Sequence, residues 1–204
     1  HARRRDVRAR RPVLAAAREA PVGDEREPTV APGVRANAKL VLLGLVEVDA
    51  ANRYVAPGFI DLTNHSDTHW TLFDHPRQDS LVAQGVTTVV GGNCGSSLAP
   101  LAKQADIEGI QKWTDISRIN INWQGMGELL DELDRMTLGV NVATLVGHGT
   151  LRRAVGMNIT KPATSDDNAR LAYLLREALD AGAFGLSTAL GRSHELTTDA
   201  EELK

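Results

Sequence analysis

Cys94, the single cysteine of the chain, sits in the glycine-rich stretch Gly91-Gly92-Asn93-Cys94-Gly95-Ser96-Ser97, directly after an apolar run. An upstream stretch, Gly58-Phe59-Ile60-Asp61-Leu62-Thr63-Asn64-His65-Ser66-Asp67, has the same layout, and a third candidate, His148, stands between Gly147 and Gly149. Imidazole nitrogen and thiolate sulfur both suit zinc, a borderline-soft ion, and a carboxylate such as Asp67 can complete its shell. A thiolate on a metal is already deprotonated, so Cys94 in that role is a fixed anion and no proton donor. Other readings of the same residues stand beside this one. A cysteine after an apolar strand can be buried and inert, Cys94 with His148 could form a nucleophile and base pair, and Gly91 to Ser97 could form a backbone nest for an anion. No Gly-Lys-Ser/Thr ending follows that turn, which argues against a P-loop. His69 and His75, beside Trp70 and Phe73, read as packing or surface residues, and His194 lies on a polar loop.

The separation of His65 and Cys94, 94 − 65 = 29 residues, is about one strand-helix unit, which places the two on neighbouring strands of a parallel sheet. Phe59 to Leu62 is the first such strand. Val86 to Val90 is β-branched throughout, which restricts side-chain rotamers and favours a strand that delivers Cys94 to its C-terminal side. Val140 to Val146 is the third, ending at Gly147-His148-Gly149, and Phe184 to Ser187 is the fourth. Helices are expected over Pro76 to Gln84, around Leu129, Leu130, Leu133 and Met136, and from a Thr164 or Ser165 cap to a Gly182 stop. In that last helix Leu171, Leu174, Leu175, Ala178 and Leu179 share one face. Ile107, Ile110 and Trp113 form a weaker stripe, Trp113 and Trp123 read as packing residues, and Thr197 to Lys204 should open a further helix with Thr198 as its cap. Four strand-helix units with polar, metal-competent groups at the strand ends give α/β as the fold class: either a partial (β/α)8 TIM barrel, whose closure needs eight units, or an open α/β sheet whose edge strand must be covered.

A chain of 204 residues with 42% hydrophobic and 24% charged residues can build one good core, and a formal net charge of −3 gives no reason to invoke nucleic acid or an anionic membrane. No apolar run approaches the roughly 18 to 20 residues of a membrane helix. One cysteine cannot form an internal disulfide, which fits a reducing, cytoplasmic setting. Residues 1 to 11 carry six arginines against one aspartate, and Pro12, Pro21, Pro28 and Pro32 follow without a clear hydrophobic period. Residues 1–44 are therefore read as a basic, irregular leader, disordered or foreign to the fold, with 45–204 as the N-terminal half of the barrel and a single strand-like run over Leu40 to Val48 at the junction.

Four strings in order, Val55-Ala56-Pro57-Gly58-Phe59-Ile60-Asp61, Gly85 to Pro100 around Gly92-Asn93-Cys94-Gly95, Val146-Gly147-His148-Gly149-Thr150-Leu151-Arg152-Arg153, and Gly182 to Thr188, resemble the D-aminoacylase (N-acyl-D-amino-acid deacylase) family of the amidohydrolase superfamily. The resemblance runs from about Val48 to Leu203. It implies a zinc-dependent, barrel-shaped metal-dependent hydrolase that cleaves the amide C–N bond of small N-acyl-D-amino acids with metal-activated water. It also implies metal ligation by His65 and Cys94, with Asp67, His148 and Arg152 in substrate-binding or supporting roles. Where the family carries His-x-His, this chain has Thr63-Asn64-His65, and a hydroxyl is a poor zinc ligand. The family's remaining metal histidines and catalytic aspartate fall past Lys204, so the expectation is an N-terminal portion that is inactive alone. A non-catalytic α/β module and an amidohydrolase acting on a cyclic amide are the alternatives.

Overall fold

A computed structural model of the chain describes residues 34–35, 39–42, 46–49, 54–103, 106–107, 116–157 and 159–204. Two short antiparallel pairs come first: β1 (Val34–Arg35) with β4 (Tyr54–Val55), and β2 (Lys39–Leu42) with β3 (Val46–Asp49). Strands thus begin inside the expected leader. The 44/45 boundary falls between the two members of a hairpin, and the single run expected over Leu40 to Val48 is two paired strands. In the sequence Gly44 stands between them, and glycine weakens a strand because it adds chain entropy and no packing. Residues 1–33, with the arginine cluster and the four prolines, lie outside the described residues, as do Ile110 and Trp113.

The remaining strands are parallel. β5 (Phe59–Asp61), β6 (Val86–Gly91) and β7 (Asn141–Thr144) pair in that order, with Thr88 opposite Asn141 and Gly91 opposite Thr144. After Leu145 the chain continues as β8 (Val146–Gly147), which pairs with β9 (Leu186–Ser187). Backbone bonds from Leu145 to Gly91 (3.0 Å) and from Phe184 to Thr144 (2.9 Å) carry the ladder across that break, so the spatial order is β5, β6, β7/β8, β9. β6 alternates as its β-branched sequence requires, with Thr87, Val89 and Gly91 buried on one face.

Helices lie between the strands along the chain. α1 (Thr71–Asp74) and α2 (Asp79–Val82) are single turns, so only the middle of the expected 76–84 helix forms. Pro76 disfavours helical geometry at the residue before it. α3 (Met126–Arg135) begins where the Glu128 carboxylate accepts the backbone N–H groups of Gln124 (2.7 Å) and Gly125 (3.0 Å), and it buries Met126, Leu129 and Leu133 at helical spacing. α4 (His148–Ala154) is a helix that no sequence signal announces. α5 (Ser165–Ala181) is capped by Thr164, whose hydroxyl accepts the Asp167 N–H at 3.2 Å while the Asp167 carboxylate returns to the Thr164 N–H at 3.0 Å. Its core face is Leu171 and Ala178 with Leu174 and Leu175 beside them, whereas Leu179, at the margin of the stripe, is 42% exposed.

These helices enclose Trp70, Leu72, Leu98, Trp123, Leu129, Val146 and Leu151. Trp123 is a packing residue, stacked on Phe73 at 5.5 Å with its indole N–H donated to the Leu98 carbonyl at 2.9 Å. The expected helix from Thr197 does not form; residues 200–203 make a turn. The turn is set by Asp199, whose carboxylate accepts the N–H groups of Glu201 and Glu202, because the Thr198 hydroxyl is engaged by Arg152 at 3.0 Å.

Candidate metal centre and its supporting network

Two strand ends converge. The loop after β5 and the turn after β6 are tied by the Asn64 N–H to the Val90 carbonyl (3.2 Å), and by the Asn93 amide, which donates to the carbonyls of Asn64 (3.2 Å) and Val90 (2.6 Å). Asp61 orders the first loop, its carboxylate accepting the Thr63 N–H (3.2 Å) and the Asn64 amide (2.8 Å). The outcome is that His65 Nε2 lies 3.6 Å from Cys94 Sγ.

That separation carries chemical information. Two ligands on one tetrahedral zinc, at about 2.05 Å for nitrogen and about 2.3 Å for sulfur, are themselves about 3.6 Å apart. The same distance suits a weak thiol-imidazole hydrogen bond, so the pair fits a metal without requiring one. Cys94 is held at φ 54°, a left-handed conformation that a non-glycine residue adopts at a cost and that often marks a functional position. Among the described residues no cluster of three or more histidine, cysteine, aspartate or glutamate side chains is positioned to hold a metal. Thr63, in the place of the family's first histidine, is exposed.

Asp67 serves the same turn. It is 6% exposed, and its Oδ2 accepts the Gly92 N–H at 2.6 Å. Burial raises its carboxyl above the ordinary aspartate range, against the lowering effects of the Gly92 and Thr68 N–H groups and of His65. The alternative of a nest for an external anion is not met, because the turn's donors are engaged from within: Gly92 donates to Asp67, Gly95 to the Ser187 hydroxyl (3.1 Å), and Ser97 to the Thr150 hydroxyl (2.9 Å).

His148 and Arg152 are not brought to Cys94. His148 is 3% exposed, with Nδ1 3.2 Å from Glu195 and Nε2 2.8 Å from Glu202. Both ring nitrogens are thereby committed, so the Cys94–His148 nucleophile pair is not assembled. Arg152, 2% exposed, donates from Nη1 to both Glu202 oxygens at 2.6 Å and from Nη2 to the Thr197 hydroxyl at 2.8 Å. When the imidazole carries both protons, two cations face two anions and each buried charge has a partner. Ser187, Glu195 and Glu202 escape a reading by sequence, whereas Asn93 is signalled by its place beside Cys94.

Burial acts to raise the Glu195 carboxyl, but the bond to His148, the backbone N–H groups of Ala189 and Gly149 and the His148 charge outweigh it and hold it below the ordinary glutamate range. A depressed folded-state pKa contributes stability that is present above the unfolded-state value and lost as pH falls through the folded one. Thermal melts across the acid range should therefore show a steeper acid loss for the native protein than for Glu195→Gln; parallel acid limbs would contradict it.

Residues 46–204 match the amidohydrolase family model, and the chain belongs to that family. Its relatives include an N-acyl-D-aspartate deacylase from Alcaligenes xylosoxydans xylosoxydans, 41% identical over 150 residues, which covers 71% of this chain and 28% of that protein. A D-aminoacylase from the same organism is 38% identical over 141 residues, covering 69% of this chain and 28% of that one. Among solved structures, the N-acyl-D-glutamate deacylase of Bordetella bronchiseptica, complexed with zinc and a phosphonate mimic of the tetrahedral intermediate, superposes with a TM-score of 0.61 at 32% identity, over 72% of this chain and 30% of that one. The chain thus spans a little under a third of the length of these relatives, and shares their amidohydrolase-superfamily fold over that span.

Proposed function

We propose that this chain carries part of the metal centre of a zinc-dependent hydrolase of N-acyl-D-amino acids, with His65 and Cys94 as metal ligands. The observation that carries the reading is the 3.6 Å approach of His65 Nε2 to Cys94 Sγ across two neighbouring parallel strands, in a chain similar to deacylases of this substrate class. Zinc, when bound, supplies Lewis-acid polarisation of an amide carbonyl and acidification of water. The chain's own residues hold and orient the ligands: Asn93 ties the two strand ends together, and Asp67 fixes Gly92. His148 and Arg152 act behind the Cys94 turn as supports, since both are buried and are engaged by Glu195, Glu202 and Thr197.

The parallel strands read best as four units of a (β/α)8 barrel. In support, β5 and β9 are outer strands, and Phe59 (69% exposed), Leu62 (68%) and Phe184 (74%) lie on or beside them, whereas all-parallel sheets are ordinarily covered on both faces. The family match from residue 46 supports a barrel region close to the expected 45–204. Among the described residues no helix is long and apolar enough to cross a membrane, and the free thiol of Cys94 suits a reducing, cytoplasmic setting.

A non-catalytic module is the second reading, favoured by Thr63 and by the two-ligand count among the described residues. Assay of the protein against N-acyl-D-amino acids, their L-enantiomers and a cyclic amide separates the possibilities. With two ligands among the described residues, the 204-residue chain by itself is expected to bind zinc weakly and to release no amino acid; release of the D-amino acid, abolished by a chelator and restored by zinc, would overturn that expectation. Turnover of the cyclic amide alone identifies a different amidohydrolase, and a sharp thermal transition that neither zinc nor a chelator shifts supports the module.

A further inference from the structure

We infer that Glu195 is a positioning residue for Cys94, a buried strut that holds the Cys94 turn from behind. This rests on the reading of Cys94 as a metal ligand for its functional meaning, though its geometry stands independently. Glu195 arrives from the turn after β9 and is 2% exposed. Its carboxylate occupies space that only glycine backbones leave open: a Cβ on Gly95 would lie 1.8 Å from Glu195 Oε1, and one on Gly149 3.1 Å from it. Gly95 directly follows Cys94, and the two share positive φ values of 69° and 54°.

The strut is fixed at its other side. Its Oε2 accepts the Ala189 N–H at 2.7 Å and faces His148 Nδ1 at 3.2 Å, while His148 and Arg152 are locked by Glu202. The Gly95 carbonyl accepts the Thr150 N–H at 3.2 Å, and the Ser187 hydroxyl donates to the Gly92 carbonyl. Cys94 is therefore held between Asp67 on one flank and Glu195 with Ser187 on the other. A left-handed residue persists only where its surroundings over-determine it. Glu195 supplies the contact that a solvated carboxylate on this polar loop would not.

Because Cys94 is the single cysteine in the sequence, a thiol-labelling rate reports this turn alone and needs no metal. The rate of reaction with an aromatic disulfide reagent would be measured for native protein, Glu195→Ala, Glu195→Gln and Leu171→Ala, the last a destabilising control in α5. Glu195→Ala should label about tenfold faster than native, through easier local opening of the turn. The isosteric Glu195→Gln should fall between them and provides the measurement if the alanine variant does not fold. Leu171→Ala, at a comparable fall in melting temperature, should label close to the native rate. Native-like labelling in the folded Glu195 variants, or equal acceleration in Leu171→Ala, would overturn the proposal. Absence of metal binding by the native protein, with the labelling pattern intact, would instead count against the ligand reading alone.

Discussion

Replacing Arg152 with alanine should cost about 3–5 kcal/mol of stability, the range for breaking a buried ion pair by removing one partner. The guanidinium is 2% exposed and gives Glu202 two contacts of 2.6 Å; without it, among the described residues, that carboxylate keeps the 2.8 Å contact with His148 alone. The Thr197 and Thr198 hydroxyls lose their donor at the same time. Chemical denaturation of Arg152→Ala, Glu202→Ala and the double variant should show strong non-additivity, the double variant costing much less than the sum, because each single change strands a charge that the double change removes. Additive effects, or a loss below about 1 kcal/mol for Arg152→Ala, typical of an exposed pair, would show that the network is solvated in solution.

Gly92→Ala should be as damaging, for a different reason. Gly92 has φ 73°, and a Cβ there would lie 2.0 Å from the Leu145 carbonyl oxygen and 2.7 Å from its carbon. The obstacle is backbone at the junction of β7 and β8, which cannot rotate away as a side-chain tip can. Left-handed alanine costs about 1–2 kcal/mol, and relieving the overlap adds about 1–3 kcal/mol. Gly156 is the internal control, with a nearly equal φ of 74° and no atom within 4 Å of the place its Cβ would take. Gly156→Ala should show the conformational cost alone. Equal melting temperatures for the two variants would refute the close packing of the Cys94 turn against Leu145.

What the sequence disclosed follows from which forces are local. β-branching announced β6, helical spacing with a Thr164 cap announced α5, and the glycine turn announced the place of Cys94. The approach of His65 to Cys94 is a consequence of adjacent parallel strands and was legible from a spacing of about one strand-helix unit. The buried charge network was not. Glu195 and Glu202 sit in a polar stretch where carboxylates are ordinarily solvated, and their burial depends on Arg152 and His148, far earlier in the chain. The same tertiary demand diverted the Thr198 hydroxyl from capping a helix to accepting from Arg152. In the hairpin of β2 and β3, an apolar run that reads as one strand is two, a choice that local hydrophobicity does not make.

Ligation of one metal ion by His65 and Cys94 is tested most directly by cobalt(II) titration monitored by absorption, since a thiolate bound to cobalt gives a charge-transfer band in the near ultraviolet. The expected result is a saturable band for the native protein, its loss in Cys94→Ser, and much weaker cobalt binding in His65→Ala, with all three proteins folded. Cobalt binding without a thiolate band, or a band unaffected by His65→Ala, would contradict it.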